Sequence, residues 1–190
     1  MQVIDADVVL NRHRLTVHDV YRMTETGVLA SDARIELIDG ALVDMAPIGT
    51  RHAATVKRLN RLLTDAVGTQ AIVSVQDPLH LSKRTLTQPD LALLKPRADF
   101  YAKTAPVGAD ALLVIEVADS TAGDDRRVKA PLYARHGVPE LWIVDLDAGC
   151  LRLLRAPLDG VYRDVSALDA PGRVGVQAMP GISLDLSTLL

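Results

Sequence analysis

The sequence predicts one globular domain of the α/β or α+β class. The chain has 190 residues, of which 48% are hydrophobic and 24% are charged, which suits a single domain with a sizeable core. Segments 91–94 and 112–118 are nearly continuous in apolar residues, which is typical of central strands. Segment 51–67 carries apolar residues at spacings of three and four, which is typical of a helix that lays one face on a sheet.

The first elements follow from local capping and turn signals. Residues 1–15 are poorly patterned and are expected to form an N-terminal arm. Residues 16–19, Thr-Val-His-Asp, predict the start of a helix that runs to about Leu29. Asp39-Gly40 is the strongest short turn signal, because a type I′ turn needs positive φ at both central residues. It predicts a hairpin that joins strands 34–38 and 41–45.

Glycine and apolar patterning predict the remaining elements. Gly68 is expected to end the helix at 51–67, and Gly137 is expected to end a third helix that begins near residue 124. Further strands are predicted at 71–75, 79–81, 91–94, 112–118 and 140–145, with a final meander at 151–154 and 161–165.

The connecting segments complete a single domain. Segment 95–110 is rich in proline, alanine and charge and is expected to lie on the surface, and the tail from Gly181 is expected to cover a sheet edge. Because no repeat or linker divides the chain, we expect one domain over residues 1–190 with a core at about 16–165.

Composition narrows the class of protein. No apolar run approaches the roughly 20 residues that span a bilayer, and the N-terminus lacks a basic-then-apolar signal, so we expect a cytoplasmic protein without membrane contact. The single cysteine, Cys150, cannot form an internal disulfide and is expected to be a buried apolar residue. The net charge of −3 argues against a protein that coats nucleic acid by bulk electrostatics but leaves a nuclease open.

Two acidic residues stand beside the central strands. Asp90 follows Pro89 and opens strand 91–94, and Glu116 lies inside strand 112–118. A buried carboxylate must be protonated, paired or bound to a cation. If the strands are neighbours, Asp90 and Glu116 would hold Mg²⁺ through oxygen ligands, together with the Val117 carbonyl. Lys129, in the following helix, would then orient the attacking water or stabilise charge on a phosphate.

Each residue also has a purely structural interpretation. Asp90 could belong to a turn, and Glu116 could form a buried ion pair with Lys129 or an arginine. Lys129 could equally pair with Asp125 one helical turn away. The sequence contains no phosphate-binding loop, dinucleotide fingerprint, zinc-protease helix or paired C-x-x-C.

The chain from about Tyr21 to Val165 resembles the Uma-type restriction endonuclease-like proteins of the PD-(D/E)xK nuclease superfamily. The motifs that carry the resemblance are Glu36-Leu37-Ile38-Asp39-Gly40-Ala41-Leu42-Val43, His52, Pro89-Asp90, Val114-Ile115-Glu116-Val117, Asp125 with Lys129 and Tyr133, and Gly137-Val138-Pro139-Glu140-Leu141-Trp142-Ile143-Val144-Asp145. The resemblance implies an α+β, restriction endonuclease-like core with a mixed central sheet flanked by helices. It also implies Mg²⁺ or Mn²⁺ at Asp90 and Glu116, hydrolysis of nucleic acid, and Glu36 as an additional acidic residue.

The sequence departs from the superfamily pattern in two places. The usual lysine two residues after the acid is replaced by Ala118, so the resemblance implies that the catalytic lysine has migrated to Lys129. Pro131 cannot donate an intrahelical hydrogen bond, so the helix either starts near Val128 or kinks beside the lysine. His52 could meet phosphate at a helix N-terminus but is expected rather to cap or fill the core, and Tyr133 is expected to pack.

The resulting hypothesis is a metal-dependent endonuclease whose substrate is nucleic acid, with DNA expected. The alternatives are an inactive nuclease-fold module for nucleic-acid binding or assembly, and a phosphodiesterase of small nucleotides, which would need a closed pocket. Cleavage of both DNA strands at one position would favour a homodimer, since one site faces one strand.

Overall fold

The computed structural model describes residues 12–119 and 125–190, with the exception of the side chains of Asp125 and Arg126. Its helices are α1 (Val17–Glu25), α2 (Thr50–Val67) and α3 (Ala130–Arg135), with a 3-10 turn at Gly108–Asp110 and a π turn at Asp125–Lys129. Its strands are β1 (Ile35–Ile38), β2 (Ala41–Asp44), β3 (Ile72–Val75), β4 (Leu79–Ser82), β5 (Thr85–Thr87), β6 (Leu91–Leu94), β7 (Ala111–Ala118), β8 (Glu140–Asp145), β9 (Cys150–Leu158), β10 (Val161–Leu168), β11 (Arg173–Gly175) and β12 (Ser183–Asp185).

A six-stranded mixed sheet forms the centre of the domain, in the order β10-β9-β8-β7-β6-β3. Strands β7 and β8 are parallel, and the other neighbouring strands are antiparallel. A parallel pair needs a crossover connection, and here the connection carries the π turn and α3. The predicted α+β class with a mixed sheet flanked by helices is confirmed.

The two faces of this sheet are covered by different helices. On one face, Leu59 and Leu63 of α2 pack into a buried cluster with Leu93 of β6 and Ile115 of β7. On the other face, Tyr133 of α3 lies in a second buried cluster that contains residues of β6, β7 and β8. The sheet therefore holds α2 and the π turn before α3 in fixed positions relative to the ends of β6 and β7.

A smaller sheet, in the order β2-β1-β5-β4, packs against α1. Asp39 and Gly40 have φ values of 48° and 83°, and Ile38 pairs with Ala41, so the hairpin predicted from Asp39-Gly40 is confirmed. The hairpin places Glu36 of β1 at the junction with the main sheet, where its carboxylate accepts the backbone N–H of Gln88 at 3.0 Å.

Several boundaries differ from the sequence-based expectations. Helix α1 ends at Glu25 rather than near Leu29, because Gly27 has a φ of 75° that cannot continue a right-handed helix. In the C-terminal tail, Leu184 and Leu186 are buried in the cluster on the α2 face. The expected arm at 1–15 falls largely on residues 1–11, which lie outside the described residues.

The region around Pro131 follows one of the two predicted arrangements. The α-helical hydrogen-bond pattern begins only at Ala130, so Pro131 occupies the first turn, where its missing N–H has no role. The wider π turn precedes it and ends at Lys129. Within the described residues, none of the helices combines the length and apolar content required to cross a bilayer.

Candidate active site

A pocket of about 410 Å³ lies where the two sheets meet. The hairpin β1–β2, the segment leading into α2, the end of β7 and the π turn form its walls. Its polar lining residues are Arg34, Glu36, Asp44, His52, Asp90, Glu116, Asp119 and Lys129. The four residues that the sequence analysis singled out as catalytic, Glu36, Asp90, Glu116 and Lys129, thus all line one pocket.

Sheet register places Asp90 next to Glu116. Strands β6 and β7 are antiparallel, with Leu91 opposite Ile115. Asp90 precedes Leu91 and Glu116 follows Ile115, so the two acids lie side by side where the ladder ends, and Asp90 accepts the N–H of Val117, next to Glu116. Both are buried, with 7% and 3% of their surface exposed.

Three donors hold the Asp90 carboxylate. Its Oδ2 lies 2.9 Å from Nε2 of His52 and accepts the backbone N–H of Val117 at 2.9 Å, and its Oδ1 accepts Nε2 of Gln76 at 3.1 Å. Burial acts to raise the pKa of Asp90, but the charge and hydrogen bonds of these partners outweigh it and hold the pKa below its usual value. Asp90 is therefore an ionised carboxylate at neutral pH.

His52 is largely buried at the pocket, with 14% of its side chain exposed. It lies in the first turn of α2, yet its side chain contacts Asp90 rather than capping the helix. The hydrogen bond to Asp90 raises the pKa of His52, against burial and the positive charge of Arg34, which act to lower it. His52 is therefore a direct hydrogen-bond partner of Asp90.

Lys129 bridges the other two acids. Its Nζ lies 3.2 Å from Oε1 of Glu116 and 3.3 Å from Oε1 of Glu36. Glu36 is buried, with 3% of its surface exposed. The ammonium thus offsets two buried carboxylates that come from different sheets.

Tyr133 also contacts Glu116. Its hydroxyl donates to Oε1 at 2.7 Å, and the side chain is fully buried. Burial first, and then the negative charges of Glu116 and Glu36, raise the pKa of Tyr133 well above its usual value. The hydroxyl therefore stays protonated and available as a donor, which is a more specific role than the packing expected from the sequence.

The π turn explains how a lysine outside the usual position reaches the acids. Ala118, at the usual position of the lysine, lies in the buried cluster on the α3 face. The connection from β7 returns through the π turn and ends at Lys129, which directs the ammonium onto Glu116. The side chain of Asp125, a predicted accessory residue, lies outside the described part of the chain.

Two further residues at the site were missed by the sequence analysis. Gln76 follows β3, has a φ of 55°, and donates to the Asp90 carbonyl through its backbone at 3.2 Å and to the carboxylate through its side chain. A non-glycine residue in this backbone region costs on the order of 1 kcal/mol or more and persists where the surroundings impose it. Arg34 lines the pocket two residues before Glu36. Neither residue belongs to a recognisable motif.

The donor atoms suit a hard divalent cation. Asp90, just before β6, and Glu116 of β7 both line this pocket with carboxylate oxygens, the hard ligands that such a cation prefers. In the described ranges, no three His, Cys, Asp or Glu side chains form a metal-binding group. Mg²⁺ commonly uses one or two protein carboxylates together with water and substrate oxygens. The two acids fit that pattern.

Comparison with known proteins gives one family and a structural neighbour. The family model Uma2, described as "Putative restriction endonuclease", matches residues 17–187. A crystal structure from Anabaena variabilis, described as "a putative nuclease belonging to DUF820", superimposes with a TM-score of 0.71 over 92% of this chain and 97% of that chain. The two sequences are 16% identical, so this likeness shows the fold alone. No curated protein gives a significant match.

Proposed function

The chain belongs to the Uma2 family, and on that premise we propose that it is a metal-dependent endonuclease that hydrolyses phosphodiester bonds of nucleic acid, with DNA as the expected substrate. The observation that carries the proposal is that Asp90, just before β6, and Glu116 of β7 line one pocket with Lys129, whose Nζ lies 3.2 Å from Glu116. Buried carboxylates beside a lysine are suited to binding a cation and a phosphate together.

The protein residues of this site would take distinct roles. Asp90 and Glu116, with the Val117 carbonyl, would hold Mg²⁺ or Mn²⁺. Such an ion supplies an acidified water and offsets charge on the phosphate. Lys129 would direct one of its three N–H donors to the phosphate oxygens while its ammonium stays beside Glu36 and Glu116, because its flexible stem can redirect a point charge. Glu36 would remain as the additional acid that positions this ammonium, and Tyr133 would hold Glu116 in one rotamer.

His52 and Gln76 would serve Asp90 rather than the substrate. Both donate to its carboxylate, on different oxygens, and so restrict its rotation. Partners of this kind around metal-binding side chains typically change metal affinity or activity by about 10- to 100-fold when removed. Asp125 stays a proposed accessory residue on the strength of the family resemblance.

A second candidate is hydrolysis of a small nucleotide, which the size of the pocket favours. A volume of about 410 Å³ falls within the range of small-molecule sites, roughly 300–1,000 Å³. The same acids and lysine would serve either substrate. The alternative of an inactive binding or assembly module predicts that the ion pairs of Lys129 are purely structural.

We further propose that the chain forms one domain, acts in the cytoplasm and assembles as a homodimer. A dimer would supply one site to each strand of a duplex. Sedimentation of the purified protein tests this assembly, and a monomer at working concentration would contradict it.

A substrate panel tests the proposed activity. Supercoiled plasmid, linear duplex, single-stranded DNA, RNA and a cyclic dinucleotide are incubated with purified protein in Mg²⁺, Mn²⁺ or EDTA, and products are separated by electrophoresis or chromatography. Endonucleolytic products that need the metal would support the proposal. Turnover of the cyclic dinucleotide alone would favour the small-nucleotide candidate, and no turnover of any substrate would favour the inactive module.

Replacing Gln76 by alanine is expected to lower cleavage activity by about tenfold or more, because Asp90 loses a donor on Oδ1. Calorimetric titration with Mn²⁺ should show a similar loss of metal affinity. Gln177→Ala provides the control, since Gln177 is exposed and makes its observed hydrogen bond through the backbone. Equal activity and metal affinity in both variants would remove Gln76 from the site.

A further inference from the structure

Arg34 is an exposed cation on the wall of the pocket. It is exposed, and within the described ranges its guanidinium forms no hydrogen bond or ion pair. The neighbouring Arg51, in contrast, binds Asp119 at 3.2 Å and Asp147 at 3.0 Å. Arg34 is therefore a positively charged group with its donors available to a ligand.

The backbone fixes the face of the hairpin from which the Arg34 side chain projects. The Arg34 carbonyl accepts the N–H of Met45 at 2.9 Å, and Ile35 pairs with Asp44 in the β1–β2 ladder. Residues two apart in an extended strand share a face, so Arg34 and Glu36 project to the same side. Both line the pocket that contains Asp90 and Glu116. The position of Arg34 relative to these acids is thus set by the hairpin.

The described lining of the pocket around Arg34 has more acidic than basic side chains. Among the described residues, five carboxylates line the pocket: Glu36, Asp44, Asp90, Glu116 and Asp119. The basic side chains described in its lining are Arg34, Lys129 and His52; Lys129 already contacts Glu36 and Glu116, and His52 contacts Asp90. A phosphate that enters such a pocket is repelled unless further positive charge meets it. Arg34 is placed to supply that charge without giving up an existing ion pair.

We propose that Arg34 is a phosphate-binding residue that holds a phosphate of a nucleic-acid strand through its guanidinium while the strand lies across the pocket. A guanidinium matches the two free oxygens of a phosphodiester with a pair of parallel N–H donors, which a single ammonium cannot do. That the ligand is a nucleic acid rests on the proposed function. That Arg34 is the residue that binds it rests on the geometry of the hairpin.

Binding measured without turnover tests the proposal. The full-length protein in EDTA is titrated into a fluorescein-labelled single-stranded or duplex DNA oligonucleotide, and anisotropy is recorded across a range of salt concentrations. Arg34→Ala is expected to weaken binding by about tenfold or more. The slope of log K against log salt should fall by roughly 0.7 to 0.9, the loss of one phosphate contact. Arg34→Lys should restore the slope and only part of the affinity.

Arg22→Ala is the matched control, because Arg22 is exposed on α1 and does not line the pocket. Parent-like affinity and salt slope in Arg34→Ala would overturn the proposal, as would an equal loss in Arg22→Ala or no binding by the parent. Binding that depends on Arg34 in a protein that cleaves nothing would uphold the phosphate contact and refute the nuclease. Equal thermal unfolding of parent and variants excludes misfolding.

Discussion

Replacing Lys129 by methionine is expected to lower phosphodiester cleavage by at least about a hundredfold, because the charge next to the reacting phosphate is lost. The same change should lower the free energy of unfolding by about 3–5 kcal/mol, since Glu36 and Glu116 lose the ammonium between them. Cleavage assays and urea unfolding of the same preparations measure the two effects.

A double variant separates the catalytic role of Lys129 from its structural role. Adding Glu36→Gln to Lys129→Met removes one buried negative charge and should recover part of the lost stability. Cleavage should stay low, because the positive charge at Glu116 is still missing. Cleavage that returns together with stability would show that Lys129 is only a structural partner of the two acids, as the ion-pair interpretation of the sequence holds.

Replacing Glu140 by alanine is expected to cost about 3–5 kcal/mol of unfolding free energy. Glu140 is fully buried, and its carboxylate accepts Nε1 of Trp142 at 2.8 Å, Nε of Arg155 at 2.7 Å and the backbone N–H of Gln177 at 2.8 Å. Removing it leaves these three donors without their buried acceptor, one of them on a charged group, and removes the hydrogen bond between β8 and Gln177. Denaturant unfolding measures the loss.

An exposed ion pair gives the matched comparison. Arg61 and Asp65 pair at 2.6 Å on the surface of α2, with 80% and 59% of their side chains exposed. Arg61→Ala should change stability by no more than about 0.5 kcal/mol, since exposed helical pairs contribute little. A loss in Glu140→Ala as small as that in Arg61→Ala would contradict the structural role of the buried carboxylate.

Much of the framework around the site could be predicted because its signals are local. Asp39-Gly40 specifies its hairpin through backbone φ alone, and the apolar spacing of α2 specifies the face that it buries. Asp90 and Glu116 were predicted to meet because a carboxylate in an apolar strand needs a partner or a cation. Register, rather than motif, then brings them side by side.

The contacts that the sequence could not predict depend on pairing and packing between segments that are distant along the chain. Gln76 reaches Asp90 only because β3 lies antiparallel to β6, with Val75 opposite Leu91. His52 contacts Asp90 through the packing of α2 against the sheet, which helical periodicity cannot specify. The π turn before α3 likewise has no simple sequence signal, although Pro131 restricted where the α-helix could begin.

Cleavage of supercoiled plasmid by the purified protein in Mg²⁺ or Mn²⁺ tests the central claim most directly. The parent, Asp90→Ala and Glu116→Ala are compared beside EDTA controls, and circular dichroism checks that each variant is folded. The proposed site predicts nicking or linearisation by the parent that needs the metal and is lost in both variants. No cleavage by the parent with either metal, or equal cleavage by the folded variants, would contradict it.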